Sequence, residues 1–323
     1  MALRNSLFAV SGKASFMDAR RDMSGLFVCD KNTMMPIAGI LDRSQDNLVT
    51  GRGDSMSVTV HPFNAVLNRY GALLIQNDGN VNVPLSAAPS ANSRIDVVYV
   101  KQNETRSPMS DSSDVPAFGV VKGTAAAVPV APAVPDGALA LAQVLLPAGV
   151  SNTAASGVVI TQTYIGAAMK GDMLRVQTSA QRDALTSVPE GTMLHNVGDG
   201  NDYVRKGGKW LFEGFFTENN LINKNTNGWN IVQIRGTIHD GIANGFFWMN
   251  RAGDWLDGKP WDSSKVIKFP NYLKTLPIDT HFPTSIGGVL LQIINDEINI
   301  RLTASHQFRK NDWVSGSFSY QLA

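Results

Sequence analysis

The chain has 323 residues, with 28 Lys+Arg against 27 Asp+Glu and a formal net charge of +1. That length suggests two or three domains, each large enough to bury a core without disulfides. The signs balance locally too: 12 of each over residues 1–165, 6 basic against 5 acidic over 166–212, and 10 of each over 213–323. A nucleic-acid binder would concentrate basic residues on one region, so DNA, RNA and anionic membranes are not expected partners. The single cysteine, Cys29, excludes an intrachain disulfide framework and a Cys-based zinc site, and it reads as a buried small apolar residue. Met1–Ser6 carries no secretory signal pattern, and no uncharged apolar run reaches the 18 or so residues that span a bilayer.

In chain order, short β-type runs come first: Met56–Val60, Ala72–Ile75, Val81–Val83, Ile95–Val100 and Phe118–Val121, parted by turn sequences such as Asn77-Asp78-Gly79-Asn80. Val58 and Val60 alternate with Ser57 and Thr59, the period of a half-buried strand. Residues 1–165 are therefore expected to form one β-sandwich-like domain with a loose N-terminal arm. Pro129, Pro132 and Pro135 break the run Gly123–Pro135 into an extended loop. Ala138–Leu146 then alternates as a strand, although its Ala and Leu also suit a short helix.

Residues 166–212 read as a small α+β connector. It holds a short helix capped at Ser179, lacking Glu or Gln at the capping-box position, then a strand Thr192–His195, a turn Gly198–Asp202 and a closing Tyr203–Trp210. Composition changes sharply after that. All six tryptophans lie at or beyond Trp210, and residues 210–323 hold 17 of the 26 aromatics. The runs Ile231–Arg235, Val289–Ile294, Ile298–Leu302 and Gly316–Leu322 are again strands, with a hairpin turn at Asn295-Asp296-Glu297. Residues 213–323 are expected to form a C-terminal β-sandwich or barrel, so the whole chain reads as mainly β.

Catalytic signatures are scarce. The sequence has no G-x-S-x-G elbow, no phosphate-binding G-x-x-x-x-G-K-[ST], no H-E-x-x-H and no dinucleotide fingerprint. The five histidines show no metal-ligand spacing, and Asp199-Gly-Asn-Asp202 lacks the downstream Glu of a calcium loop. No enzyme activity, cofactor or metal is expected. Gly51-Arg-Gly-Asp-Ser55 reads as a turn before a strand rather than a recognition tripeptide.

The segment Phe246–Trp261 is richer. Trp248, Trp255 and Trp261 are interleaved with Asn250, Arg251, Asp254 and Asp257. Flat rings that stack on the apolar faces of sugars, beside planar groups that bond hydroxyls, are the chemistry of a saccharide site. The other open reading assigns these rings to the core, a sheet edge or a subunit interface.

Several stretches together resemble tail-tip proteins of long-tailed bacteriophages. Ser93-Arg-Ile-Asp-Val-Val-Tyr-Val100 resembles the S-x-R-I-D strand of baseplate and minor tail proteins, and Ala138–Gly149 resembles the strand and turn that follow it. Leu174–Thr178, Arg182–Leu185, Pro189–Gly191 and Tyr203–Trp210 are similar to a small connector module of such proteins. The resemblance covers roughly residues 56–212. It implies a receptor-binding protein at the virion tail tip: an N-terminal half docked on other baseplate or tail proteins, a connector, and a distal head binding a host surface saccharide. It also implies a homo-oligomer, commonly a trimer. A purely structural bridging component is the second expectation, and a glycan depolymerase, which needs carboxylates about 5–9 Å apart in a groove, the third.

Overall fold

The β-type alternations of the sequence become strands in the computed structural model, which describes residues 15–42, 47–217, 228–239, 241–268, 280–294 and 297–322. Strand accounts for 50% of it and helix for 5%, so the protein is mainly β with a β-sandwich-like build. It divides into two compact units, Met1–Gly200 and Asn201–Ala323. The expected connector is thus split between them. Its last part, Asn201–Lys206, pairs with Lys209–Thr217, and that strand continues into the second unit's main sheet.

The first unit contains α1 (Phe16–Ser24), β1 (Gly39–Ile40), β2 (Val49–Gly51), β3 (Ser57–Val60), β4 (Phe63–Asn68), β5 (Ala72–Asn77) and β6 (Val81–Pro84). It continues with β7 (Arg94–Gln102), β8 (Pro116–Val121), β9 (Leu139–Leu146), β10 (Val159–Gln162), β11 (Leu174–Val176), α2 (Ser179–Ala184) and β12 (Met193–Asn196). Three antiparallel sheets, β1-β4-β5, β2-β3-β6 and β10-β9-β7-β8, contribute to one aliphatic core. Val58, Val60 and Val83 meet Ala65 and Leu67 there, with Val98, Leu141, Val144 and Leu146. Ala138–Leu146 resolves as strand, because from Leu139 onward it pairs on both sides, with β7 and β10.

Two local readings are corrected. Helix α2 is capped by Thr178, one residue before the expected Ser179. Gln181 then falls at the capping-box position: Thr178 Oγ1 accepts from its backbone N–H at 3.2 Å, and its Oε1 accepts from the Thr178 N–H at 3.2 Å. Part of the expected loose arm is helix α1, where Ser15 caps and the Asp18 carboxylate accepts from the Ser15 N–H at 2.9 Å. An acidic residue in the first turn also favours the helix dipole.

The Arg-x-Asp of strand β7 forms a buried ion pair. Residues two apart share a strand face, and Arg94 Nε donates to Asp96 Oδ1 at 2.9 Å while its Nη atoms donate to the Ala87 and Ser86 carbonyls at 2.6 Å. Asp96 is fully buried and also accepts from the Gly123 N–H at 2.9 Å. The pair thereby holds the chain on either side of β7 to the sheet.

The second unit contains β13 (Asn201–Lys206), β14 (Lys209–Thr217), β15 (Trp229–His239), β16 (Ile242–Arg251), β17 (Trp255–Gly258) and β18 (Ser263–Lys268). It ends with β19 (Thr280–Pro283), β20 (Val289–Ile294), β21 (Glu297–Leu302), β22 (His306–Phe308) and β23 (Trp313–Gln321). Five strands run side by side as β13-β14-β15-β16-β23, and a second sheet runs β18-β21-β20-β19. Strands β20 and β21 are antiparallel as expected, while their turn at residues 295–296 lies outside the described residues. Phe247, Phe216, Trp229 and Phe308 fill the core beside Val289, Leu291, Ile298 and Ile300. Gly236 and Gly245 are paired across β15 and β16. A Cβ on Gly236 would come within 2.5 Å of the Phe216 ring, and one on Gly245 within 2.3 Å of Phe318. The two glycines make room for these rings, which stack at 6.2 Å over the middle of the sheet.

Candidate functional site

Strand β16 alternates strictly, and this decides what the aromatic segment can do. Ala243, Phe247, Met249 and Arg251 are buried on its inner side, while Asn244, Phe246 and Trp248 are exposed on the outer side, with Asn250 half-buried beside them. Directly paired residues of antiparallel strands share a face, so the register extends that outer side across four strands. One row is Phe215–Thr237–Asn244–Ser319, and the next is Thr217–Arg235–Phe246–Ser317. Gln233–Trp248–Ser315 follows, then Asn230–Asn250–Trp313.

Each row therefore presents one aromatic ring among hydroxyl and amide side chains. Phe215 is 80% exposed, Phe246 37%, Trp248 42% and Trp313 44%. The Trp248 and Trp313 indoles lie 4.9 Å apart at 40°, and Asn230 Nδ2 donates to Asn250 Oδ1 at 3.1 Å beside them. Of the charged types, these rows contain Arg235 alone. Exposed rings cost solvation without contributing to a core, and here they are distributed at steps of about 3.4 Å per residue along rigid strands.

The seven residues singled out in the sequence do not form one site. Trp248 and Asn250 belong to the outer face. Arg251 points the other way, 7% exposed, with its guanidinium 5.0 Å from the Trp229 ring centre and 5.8 Å from that of Trp255, and Nε donating to the Gly253 carbonyl at 3.0 Å. Burial pulls its pKa below the usual value, which the nearby Asp254 carboxylate opposes. Trp255 is half-buried and stacks on Phe308 at 5.8 Å and 22°. Asp254 accepts from the Lys310 backbone N–H at 2.7 Å, a turn-holding contact. Asp257 is exposed on β17. Trp261 is 67% exposed in the turn before β18, with the Arg301 guanidinium 5.6 Å above its ring.

Sequence reading missed Trp313, Phe215, Gln233 and Arg235 on the outer face. The alternation Trp313, Ser315, Ser317, Ser319 was the available signal, since it puts that tryptophan on the polar side of its strand. Two concavities complete the picture. One of about 360 Å³ in the second unit is lined by Arg251, Trp255, Asp262, Ser263 and Ser264. A larger one of about 550 Å³ in the first unit has Cys29, Val28 and Met193 among its walls. The Cys29 thiol donates to the Ser24 carbonyl at 3.0 Å, and burial pushes its pKa up, which favours the protonated thiol. In the Arg-Gly-Asp turn, Arg52 Nε donates to Asp54 Oδ1 at 3.0 Å, which pairs the two charges with each other. Among the described residues, no three His, Cys, Asp or Glu side chains are grouped to hold a metal ion, and no helix is long and apolar enough to cross a membrane. No protein-family model and no curated protein sequence matches the chain.

Proposed function

We propose that the chain is a receptor-binding protein of a bacteriophage tail tip, whose second unit binds a host surface polysaccharide and catalyses no reaction. The observation that carries the saccharide reading is the outer face of β14-β15-β16-β23, where Phe215, Phe246, Trp248 and Trp313 stand one to a row among Asn, Gln, Ser and Thr side chains. Rings that stack on sugar faces and neutral groups that bond hydroxyls both recur along it. A repeating ligand matches a repeating surface.

The first unit attaches the protein to other baseplate or tail proteins in this reading. The resemblance of the Arg94–Val100 strand to tail proteins supports it, as do Val128 and Val130, which stand exposed in the proline-rich segment and offer apolar surface to a neighbour. The protein acts as a homotrimer at the virion tip after synthesis in the host cytoplasm. Threefold repetition would raise the avidity of a weak sugar site by about 10² to 10⁴.

A glycan array probed with the full chain and with the double variant Trp248→Ala, Trp313→Ala tests the saccharide reading. Wild type is expected to bind particular glycans, and the variant to lose them with its melting temperature nearly unchanged. Undiminished binding by the variant would move the site elsewhere. A wild type that binds no glycan would leave the purely structural baseplate role in its place.

A further inference from the structure

The second unit contains two turns with the same hydrogen bonding whose third residues differ in kind. In Lys259-Pro260-Trp261-Asp262, the Asp262 carboxylate accepts from the Lys259 N–H at 2.7 Å and the Asp262 N–H donates to the Lys259 carbonyl at 3.0 Å. In Arg309-Lys310-Asn311-Asp312, the Asp312 carboxylate accepts from the Arg309 N–H at 2.6 Å and the Asp312 N–H donates to the Arg309 carbonyl at 3.0 Å. The third residue is left-handed in both, with φ +73° at Trp261 and +70° at Asn311. Asparagine tolerates that conformation, whereas a bulky side chain there is an outlier. Trp261 receives no core burial in return, since it is 67% exposed. An indole held out at a strained turn needs a reason outside the fold.

A second, independent observation lies beside it. The Arg301 guanidinium sits over the Trp261 ring, and Arg301 Nε is enclosed with no hydrogen-bond partner. A buried unsatisfied donor is costly, and more so on a charged group. Arg301 pairs across the sheet with Ser263. Ser263 and its neighbours Asp262 and Ser264 line the 360 Å³ groove that also contains Arg251 and Trp255. Trp261 precedes Asp262 in the chain and Arg301 pairs with Ser263, so the indole and the guanidinium stand next to two of the residues that line this groove.

We infer that this pair is a subsite for a carboxylate-bearing sugar, a uronate residue, whose ring stacks on Trp261 and whose carboxylate is taken by Arg301. The planar guanidinium suits a carboxylate in two-point contact. Ser263, paired with Arg301 and so on the same face of the sheet, supplies a hydroxyl partner, its Oγ now donating to Gln292 Oε1 at 3.4 Å. The inference rests on the saccharide reading above but uses other residues. It makes the preferred polysaccharide an acidic one.

The test uses the full chain labelled with 5-fluorotryptophan, whose six resonances are assigned by single Trp→Phe variants. Glucuronate, glucose and acetate are titrated in turn and followed by fluorine NMR. Glucuronate is expected to move the Trp261 signal at concentrations where glucose and acetate do not, and Arg301→Gln to weaken that response by about tenfold or more. Arg301→Lys, which keeps the charge but not the fork, is expected to fall between them. Trp261→Asn is expected to melt at or above the wild-type temperature, as the left-handed turn is then occupied by a residue that accepts it. A lower melting temperature would make Trp261 a structural residue and overturn the subsite. So would equal responses to glucose and glucuronate, or an equal response to acetate, which denotes an adventitious ion only. Shifts confined to Trp248 and Trp313 overturn the subsite while sustaining the saccharide reading. No shift anywhere overturns both.

Discussion

The two units of this protein place their polar and aromatic chemistry in opposite ways. The first has an aliphatic core, and its charged groups are turned inward and paired: Arg94 with Asp96, and Arg69 with Glu104 and Asp111, themselves bonded to Arg20 and Lys101. The second fills its core with Trp and Phe and then carries further rings on its outer face. Internal pairing fixes one arrangement of loops and strands, whereas rings and amides left at the surface are available to something else. In the function proposed above, support falls to the first unit and recognition to the second.

The comparison breaks most sharply at the buried pair. Arg94→Ala leaves Asp96 charged and enclosed, and is expected to destabilise the first unit by about 3–5 kcal/mol in urea unfolding. A loss below about 1 kcal/mol would mean the pair does not organise the surrounding chain. Next in size is Trp255→Ala, which removes a ring packed on Phe308 and beside Arg251 and is expected to cost about 3 kcal/mol. An unchanged melting temperature would return Trp255 to the candidate platforms. Trp248→Ala on the outer face should lie within about 0.5–1 kcal/mol of wild type, and a larger loss would blur the division between the two faces.

The smallest effect concerns acid. Hydrogen bonding from Lys101, with the Glu104 N–H and Arg69 adding to it, pulls the Asp111 carboxyl down to about 2 from an ordinary value of 3.8. The folded pKa lies below the unfolded one, so this stabilisation is complete above pH ~4 and disappears as pH falls from about 4 through about 2. Unfolding free energies of wild type and Asp111→Asn should converge across that window and stay parallel above it. Curves parallel throughout would show that Asp111 does not contribute to acid sensitivity.

Most strands were legible because their signal is local. Glu297–Leu302 alternates in the sequence and in burial, and Val58 and Val60 are buried on either side of half-buried Thr59. The helix caps were partly legible: Gln181 was in view, but the cap had been placed one residue late. The site was less so, since chain proximity was taken for spatial proximity. Between Asn250 and Arg251 the strand changes face, and that single step separates residues adjacent in sequence. Trp313 reaches Trp248 only through the pairing of β16 with β23, a register that no short stretch of sequence announces. Gly253, Gly258 and Pro260 all lie beyond Arg251, where strand β16 ends, so the segment's first six residues are regular strand.

The period of two in β16 also governs how the protein can change. Positions 243, 247, 249 and 251 decide whether the sheet packs, and positions 244, 246, 248 and 250 decide what it meets. Substitutions of the second kind leave the first untouched. A lineage under pressure to change what this face meets can therefore rewrite alternate letters of one strand, and of its paired neighbours, while the fold stays constant beneath them.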